Sequence, residues 1–450
     1  MLLLLLIVVG VLAVFVTGAN RAAQQQERDR ITSEALAQAK AALIGYAASV
    51  SLASPGPRPG DLPCPDTNDD GVAETGCGNA AGTTGQNLRL GRLPWKTLGL
   101  PDLRDGDGER LWYAVSNNFK RNTRTSILNS DTPGTITVLD SNGVVVFDGA
   151  GTTGAIAVIF APSSSLIRQD GYVQNRACVP CDVQMVCTAV PPTNTPRCNP
   201  KNYLDIANGG EDNANFQDGN ADGFIQGPIN AAGTTIVNDR LIIITPSDLM
   251  PVLEKRVAGE ALNCLTEYAA KPQNQGRYPW AAPLNPSVSP SYSGVSGSRY
   301  GRIPDTFGGG FDSTVTSSGT LHPMDSSWTG NCNINSGSWW PNWEEIVFFA
   351  VADAYKPVNL DVSPVPAPGC GVTGTCLTVN LPSASANKQV VVFVGGRRLS
   401  GVAVGQPRTS SADKGTIANY LEGQNATLPD DVFERSSPTS TFNDATSFAP

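Results

Sequence analysis

The feature that most constrains the fold is an internal duplication. The stretch from about residue 31 to 250 recurs, weakly but in order, from about 251 to 450. Ala37–Ala48 pairs with Gly259–Ala270, aligning Tyr46 with Tyr268. Gly91-Arg-Leu-Pro-Trp95 matches Gly276-Arg-Tyr-Pro-Trp280, and Glu109–Val115 matches Glu345–Val351. Ile136–Val138 then matches Leu377–Val379, and Ala157–Phe160 matches Val390–Phe393. Asn202–Asp205 matches Asn419–Glu422, and Asn238-Asp239 matches Asn443-Asp444. Any one pair is within chance, but seven in one order indicate a tandem repeat with a boundary near 245–255. The expected organisation is a membrane anchor at 1–19, a stalk helix with a first unit at 20–250, and a second unit at 251–450.

Each unit reads as one long helix, a Gly/Pro/Asn-rich loop and a set of short strands. Arg21–Ala48 has no proline and no glycine before Gly45, and is dominated by good helix formers. Thr135–Asp140, Val144–Asp148, Ala155–Ala161 and Leu241–Thr245 are rich in Val, Ile and Phe and predict strands. Helix first and strands afterwards predicts an α+β fold with an antiparallel sheet in each unit. Ile346, Phe349, Ala350 and Asp353 fall at helical spacing, which predicts a helix over Trp343–Tyr355 and a matching one over Glu109–Phe119.

Leu2 to Val16 is apolar apart from Gly10, and the chain runs on from it as a polar, Ala-rich helix. This pattern predicts a transmembrane helix continuing as a stalk. Arg21, Arg28 and Arg30 follow the apolar run, a bias that would hold that side in the cytoplasm. A basic extension before Met1 would reconcile it with an exported head.

Ten cysteines, at Cys64, Cys77, Cys178, Cys181, Cys187, Cys198, Cys264, Cys332, Cys370 and Cys376, mostly fall in Gly/Pro/Asn-rich stretches. An even number so placed predicts disulfides in an oxidising compartment. Cys64/Cys77 and Cys370/Cys376 would close short loops. Cys178, Cys181, Cys187 and Cys198 could form two bridges in any of three pairings, although Cys178-Val-Pro-Cys181 also has the form of a redox pair or half a zinc knuckle.

Asp66-Thr-Asn68-Asp-Asp70-Gly71-Val72-Ala-Glu74 has the opening of a calcium loop, with oxygens at every second position and Val72 offering its carbonyl. Asp218-Gly-Asn220-Ala-Asp222-Gly-Phe-Ile-Gln226 repeats that opening. The alternative is a solvated Asx-rich turn, which such residues form without an ion. Trp328, Trp339, Trp340 and Trp343 concentrate four of the seven tryptophans. They are either a binding surface for a glycan or host protein or packing beneath a loop.

Charge restricts the partners. Lys+Arg 31 against Asp+Glu 40 leaves a net charge of −9, and without a basic block nucleic acid is not an expected partner. His322 is the single histidine, so His-rich zinc sites are excluded and any Ser-His or Cys-His catalysis depends on that imidazole. With no phosphate loop, dinucleotide fingerprint or paired acids, no enzymatic activity is expected.

Ala35–Ala47, Leu62-Pro-Cys-Pro-Asp-Thr67 and Gly91–Arg104, behind an apolar helix and stalk, resemble the type IV pilin and type II secretion pseudopilin superfamily, and within it a group of pilin-like bacterial proteins. The family's Gly-Phe-Thr-Leu-Ile-Glu processing signature is absent. The resemblance implies a structural or assembly component of a pilus or pseudopilus, single-pass in the bacterial inner membrane with a periplasmic or extracellular head. Its implied partners are that membrane and other pilin or pseudopilin subunits. The competing reading is a surface adhesin or glycan-binding module that uses the Trp-rich second unit.

Overall fold

The structure is a computed structural model. It describes residues 2–52, 56–77, 89–121, 127–176, 199–215, 223–284, 292, 294–295, 297–305, 313–315, 321–323, 328, 332, 334, 339–358, 365–381, 383–399, 405–427 and 430–450, without the side chains of 2–19, 313–315, 321–323 and 381. Two compact units emerge. The first comprises Met1–Tyr46, Asp61–Ser126 and Pro133–Pro246, and the second Ala47–Gly60, Ile127–Thr132 and Ser247–Pro450.

The first long helix, α1, runs over Leu2–Ser49. Its buried residues Thr32, Ala35, Leu36, Ala39, Leu43 and Ala47 recur at three and four residues, which makes one apolar stripe. Lys40 reaches the carbonyl of Ile243 (2.9 Å) and Asp29 pairs with Arg240 (2.6 Å), so the same helix lies along a strand of its unit. The second long helix, α2 over Pro246–Ala270, buries Met250, Leu253, Val257, Ala261, Leu265 and Tyr268 at the same spacing. Among the described residues the remaining α-helices, α3 (Trp340–Trp343) and α4 (Ser411–Lys414), are single turns.

Among the described residues, nine strands follow α1: β1 (Leu90–Arg92), β2 (Trp112–Val115), β3 (Val138–Leu139), β4 (Val145–Phe147), β5 (Ala157–Ala161), β6 (Phe224–Ile225), β7 (Ile229–Ala231), β8 (Thr234–Val237) and β9 (Arg240–Ile244). Nine more follow α2: β10 (Tyr300–Arg302), β11 (Ser313–Val315), β12 (Leu321–Pro323), β13 (Val347–Val351), β14 (Leu377–Leu381), β15 (Ser383–Lys388), β16 (Val390–Val394), β17 (Val432–Glu434) and β18 (Ala445–Ala449). The first unit has an antiparallel sheet in the order β1-β2-β5-β9, and the second has β10-β13-β16-β18. Beside each lies a three-stranded sheet, β4-β3-β6 and β15-β14-β17, formed by an antiparallel hairpin and one parallel strand. The central strands β2, β5, β13 and β16 are buried along their whole length, which explains their unbroken apolar runs.

Several expectations are corrected. The α+β layout, with a transmembrane helix and one antiparallel sheet per unit, gives way to a chain of short strands: among the described residues, eighteen strands against four α-helices, divided among small sheets. Strands of two to six residues carry too little periodicity to be read against Gly/Pro-rich surroundings. No helix among the described residues is long and apolar enough to cross a membrane, which overturns the single-pass inner-membrane placement. The Leu2–Val16 run that suggested it makes only about 22 Å of helix, short of a bilayer core of about 30 Å. The side chains of the expected anchor, 1–19, lie outside the described residues. The helix expected over Trp343–Tyr355 is instead β13 flanked by turns, and Glu109–Phe119 contains β2. An apolar run buried on both faces imitates helical spacing.

One pairing in the repeat is also shifted. Arg92 bridges Asp66 in the first unit, while Arg302 bridges Ala282 in the second. The counterpart of Gly91–Pro94 is therefore Gly301-Arg302-Ile303-Pro304, and Gly276–Trp280 corresponds instead to Gly60–Cys64. A similar Gly-Arg-x-Pro string occurs at both places in the second unit, and only strand pairing tells them apart.

Candidate functional site

The ends of the two four-stranded sheets carry the same polar knot. Asp239, just before β9, accepts at Oδ2 the Asp205 N–H (2.7 Å) and the Asn213 side-chain amide (2.8 Å). Asn213 in turn accepts the Ile225 N–H of β6 (2.8 Å). Asp444, just before β18, accepts the Glu422 N–H (2.9 Å) and the Asn425 amide (3.0 Å), and Asn425 accepts the Glu434 N–H of β17 (2.9 Å). Asp205 receives the Asn238 N–H (2.7 Å) and Gln174 (2.9 Å), as Glu422 receives the Asn443 N–H (2.9 Å) and Gln406 (2.6 Å). Burial satisfied in this way ties a sheet end to its side sheet.

Burial raises the proton affinity of the knots' carboxyl groups. Burial pushes the Asp205 carboxyl up to about 6, and burial with Asp205 alongside pushes Asp239 well above the carboxylate range. Burial with Glu422 alongside does the same to Asp444. The other oxygen, Oδ1, has no hydrogen-bond partner in either Asp239 or Asp444, which fits a neutral carboxyl group.

Two arginines in each unit meet a tyrosine that follows a 3₁₀ turn. Arg176 lies 5.0 Å from the Tyr203 ring and donates to the Asn202 carbonyl (2.9 Å). Arg408 lies 4.6 Å from Tyr420 and donates to the Asn419 carbonyl (2.6 Å). Arg92 of β1 stacks over Tyr203 (4.0 Å) and Trp112 (4.5 Å), whereas Arg302 of β10 lies over Tyr420 (5.3 Å) and Phe348 (5.1 Å). Here the units diverge. Arg302 donates to the carbonyls of Glu345 (3.0 Å), Lys414 (2.8 Å) and Leu284. Arg92 donates to the Arg110 carbonyl (3.0 Å) and borders a cavity of about 150 Å³.

The residues singled out from sequence are distributed differently. In the Asp66 loop each oxygen turns onto its own backbone. Asp66 accepts the N–H groups of Asn68 (3.1 Å), Asp69 (2.6 Å) and Gly71 (2.7 Å), Asn68 accepts Asp70 (3.0 Å), and Asp70 accepts Val72 (2.7 Å). Glu74 accepts the Thr67 hydroxyl (2.7 Å). Those bonds are the Asx-turn alternative, and burial pushes Asp66 up to about 6. No group of three or more His, Cys, Asp or Glu side chains suited to a metal occurs among the described residues. Asp218, Asn220 and Asp222 lie outside the described residues, and Gln226 accepts the Leu241 N–H (3.2 Å).

Trp328, Trp339, Trp340 and Trp343 are all buried, so they present no exposed ring platform. Trp328 donates to the Pro304 carbonyl (3.0 Å), and Trp339 meets Trp340 edge to face at 5.3 Å. Cys64–Cys77 and Cys370–Cys376 are bridged, matching their short spacing, and Cys264 of α2 is bridged to Cys332. Cys178, Cys181, Cys187 and Cys198 lie outside the described residues. His322 pairs through its backbone with Thr314 in the β11–β12 hairpin.

Sequence reasoning missed Arg92, Arg176, Arg302 and Arg408. The signal was present as Leu90-Gly-Arg-Leu-Pro94 and Tyr300-Gly-Arg-Ile-Pro304, and as the aromatic after Asn202 and Asn419. No known protein family matches the chain, and no curated protein or solved structure is similar enough to it to count as related.

Proposed function

We propose that the protein is an exported structural or assembly component, of the pilus or pseudopilus type that its pilin-like stretches suggest, and that it acts through its surface and not by catalysis. The observation that supports this reading best is the duplicated knot. In both units the buried carboxyl groups and arginines are engaged in holding main chain in place, the use a rigid scaffold makes of them. The three described disulfides point the same way, since such staples persist in oxidising compartments.

Deleting the coding sequence in its host, and shearing surface filaments from the parent strain, tests the reading. Loss of filament assembly or of protein secretion on deletion, with the protein recovered in the filament or secretion-complex fraction, is expected. A deletion strain with normal filaments and normal secretion would overturn it.

A further inference from the structure

The two knots differ in the main chain that joins the partners of the buried aspartate. In the second unit, Glu422 and Asn425 are joined by Gly423-Gln424 alone. In the first, Asp205 and Asn213 are separated by a hairpin, closed at its base by the Ile206–Asp212 bridge and by the Arg168–Asp212 ion pair (2.8 Å). The Ala207 N–H donates to the Glu211 carbonyl (2.9 Å) and the Gly210 N–H to the Ala207 carbonyl (3.1 Å). Asn208 and Gly209 form the tip, and both are exposed.

An Asn-Gly pair can react with itself. The glycine main-chain nitrogen attacks the asparagine Cγ, the Cγ–Nδ2 bond breaks, and ammonia leaves with the proton from the glycine nitrogen. Water then opens the cyclic imide. Breaking its bond from nitrogen to Cγ gives aspartate; breaking the bond from nitrogen to the main-chain carbonyl carbon gives isoaspartate. Glycine has no Cβ to obstruct the attack. In a fold, the rate depends on whether the nitrogen and Cγ are free to approach each other. The chain has two such pairs, Asn142-Gly143 and Asn208-Gly209. Asn142 is exposed as well, but Asp140 holds every group the reaction needs. Its carbonyl accepts the Gly143 N–H (3.0 Å), its Oδ1 the Asn142 N–H (2.9 Å) and its Oδ2 the Asn142 side-chain amide (3.3 Å). At the other pair, neither the Gly209 N–H nor the Asn208 side chain has a hydrogen-bond partner among the described residues.

We propose that Asn208 is a site of spontaneous deamidation, and that Asp140 protects Asn142 from the same reaction. Aspartate adds one negative charge to the hairpin tip. Isoaspartate also lengthens the main chain by one methylene between Asp205 and Asn213, the residues whose N–H and side-chain amide hold Asp239. The modification therefore acts on the first unit's knot, and Gly423-Gln424 offers no equivalent in the second.

Full-length protein is incubated at mildly alkaline pH, folded and in urea, and the one-dalton mass gain at each asparagine is followed by peptide mapping. In the fold, Asn208 is expected to convert at least about tenfold faster than Asn142, the effect of releasing the bonds that hold Asn142 and Gly143. In urea the two rates should agree to within about twofold, since the local sequences are alike and the turns are gone. Asp140→Ala, at an exposed turn, should speed Asn142 about threefold in the fold and leave Asn208 unchanged. Equal rates in the folded protein, a gap that persists in urea, or no response of Asn142 to Asp140→Ala would overturn the proposal.

Discussion

In the second unit, Arg302 of β10 hands donors to the main-chain carbonyls of Glu345, Leu284 and Lys414; in the first, Arg92 at the equivalent point of β1 donates to Arg110 and faces a cavity. Both lie against the aromatic residue after a 3₁₀ turn, Tyr420 or Tyr203. The same arginine-on-aromatic pair therefore holds three main-chain carbonyls in one unit and borders a cavity in the other. A duplicated core tolerates this because the knot, and not the arginine, ties each sheet end to its side sheet.

Removing each arginine should break the comparison most visibly. Arg302→Ala strips three carbonyls of donors and is expected to cost about 4 kcal/mol. Arg92→Ala, beside a cavity that water can fill, is expected to cost about 2 kcal/mol. Urea unfolding of the two variants checks the order, and a larger loss for Arg92→Ala would contradict the contrast.

The staples differ between units too. Cys64–Cys77 closes a 13-residue separation in the first unit, where the second has the buried Trp280. Cys264–Cys332 closes 68 residues in the second. Replacing both cysteines by serine should cost about 4 kcal/mol for Cys264/Cys332 and about 3 kcal/mol for Cys64/Cys77 in the chain-entropy picture. Melting temperatures of the two double variants give the comparison.

The knots predict a pH effect. Burial raises the folded pKa of Asp205 to about 6 and that of Asp239 further, above an unfolded value of about 3.9. Between these values the folded state holds protons that the unfolded chain has released. This contribution to stability is therefore fully present below about pH 4 and is lost as pH rises through 6, by up to about 1.4 kcal/mol per pH unit per proton. Asp239→Asn should flatten the decline in the first unit and Asp444→Asn in the second, read from melting curves between pH 4 and 8. A slope unchanged in both variants would show that the carboxyl groups are ionised in the fold.

The smallest effect belongs to the Asp66 loop, which has no equivalent acid at Ala282. Asp70→Ala removes one exposed bond to the Val72 N–H and should cost about 0.5 kcal/mol. Calcium and chelator should give the same melting curve. A rise with calcium would mean that the loop's oxygens exchange their N–H donors for an ion.

Legibility followed chemistry of short range. The helix over Arg21–Ala48 and the pairing of Cys64 with Cys77 depend on neighbours within a few turns or one loop, and both could be read directly. The same property misled at Val347–Val351, where burial on both faces hides the strand period; at Asp66, turn and ion site call for the same residues, so the sequence left both readings open. The four arginines were unreadable because nothing local distinguishes an arginine on an aromatic ring from one in solvent.

By itself the sequence determined an internal repeat, a long helix over Arg21–Ala48 and which cysteines close short loops, because repeats, helix-forming composition and loop length are properties of the chain. Tertiary structure decided the register of Gly91–Pro94 against Gly301–Pro304, the division of strands among small sheets, and the different fates of Arg92 and Arg302. Those outcomes depend on partners drawn from far along the chain, such as Leu284 and Lys414 for Arg302, and on how much water burial removes. No local pattern carries that information.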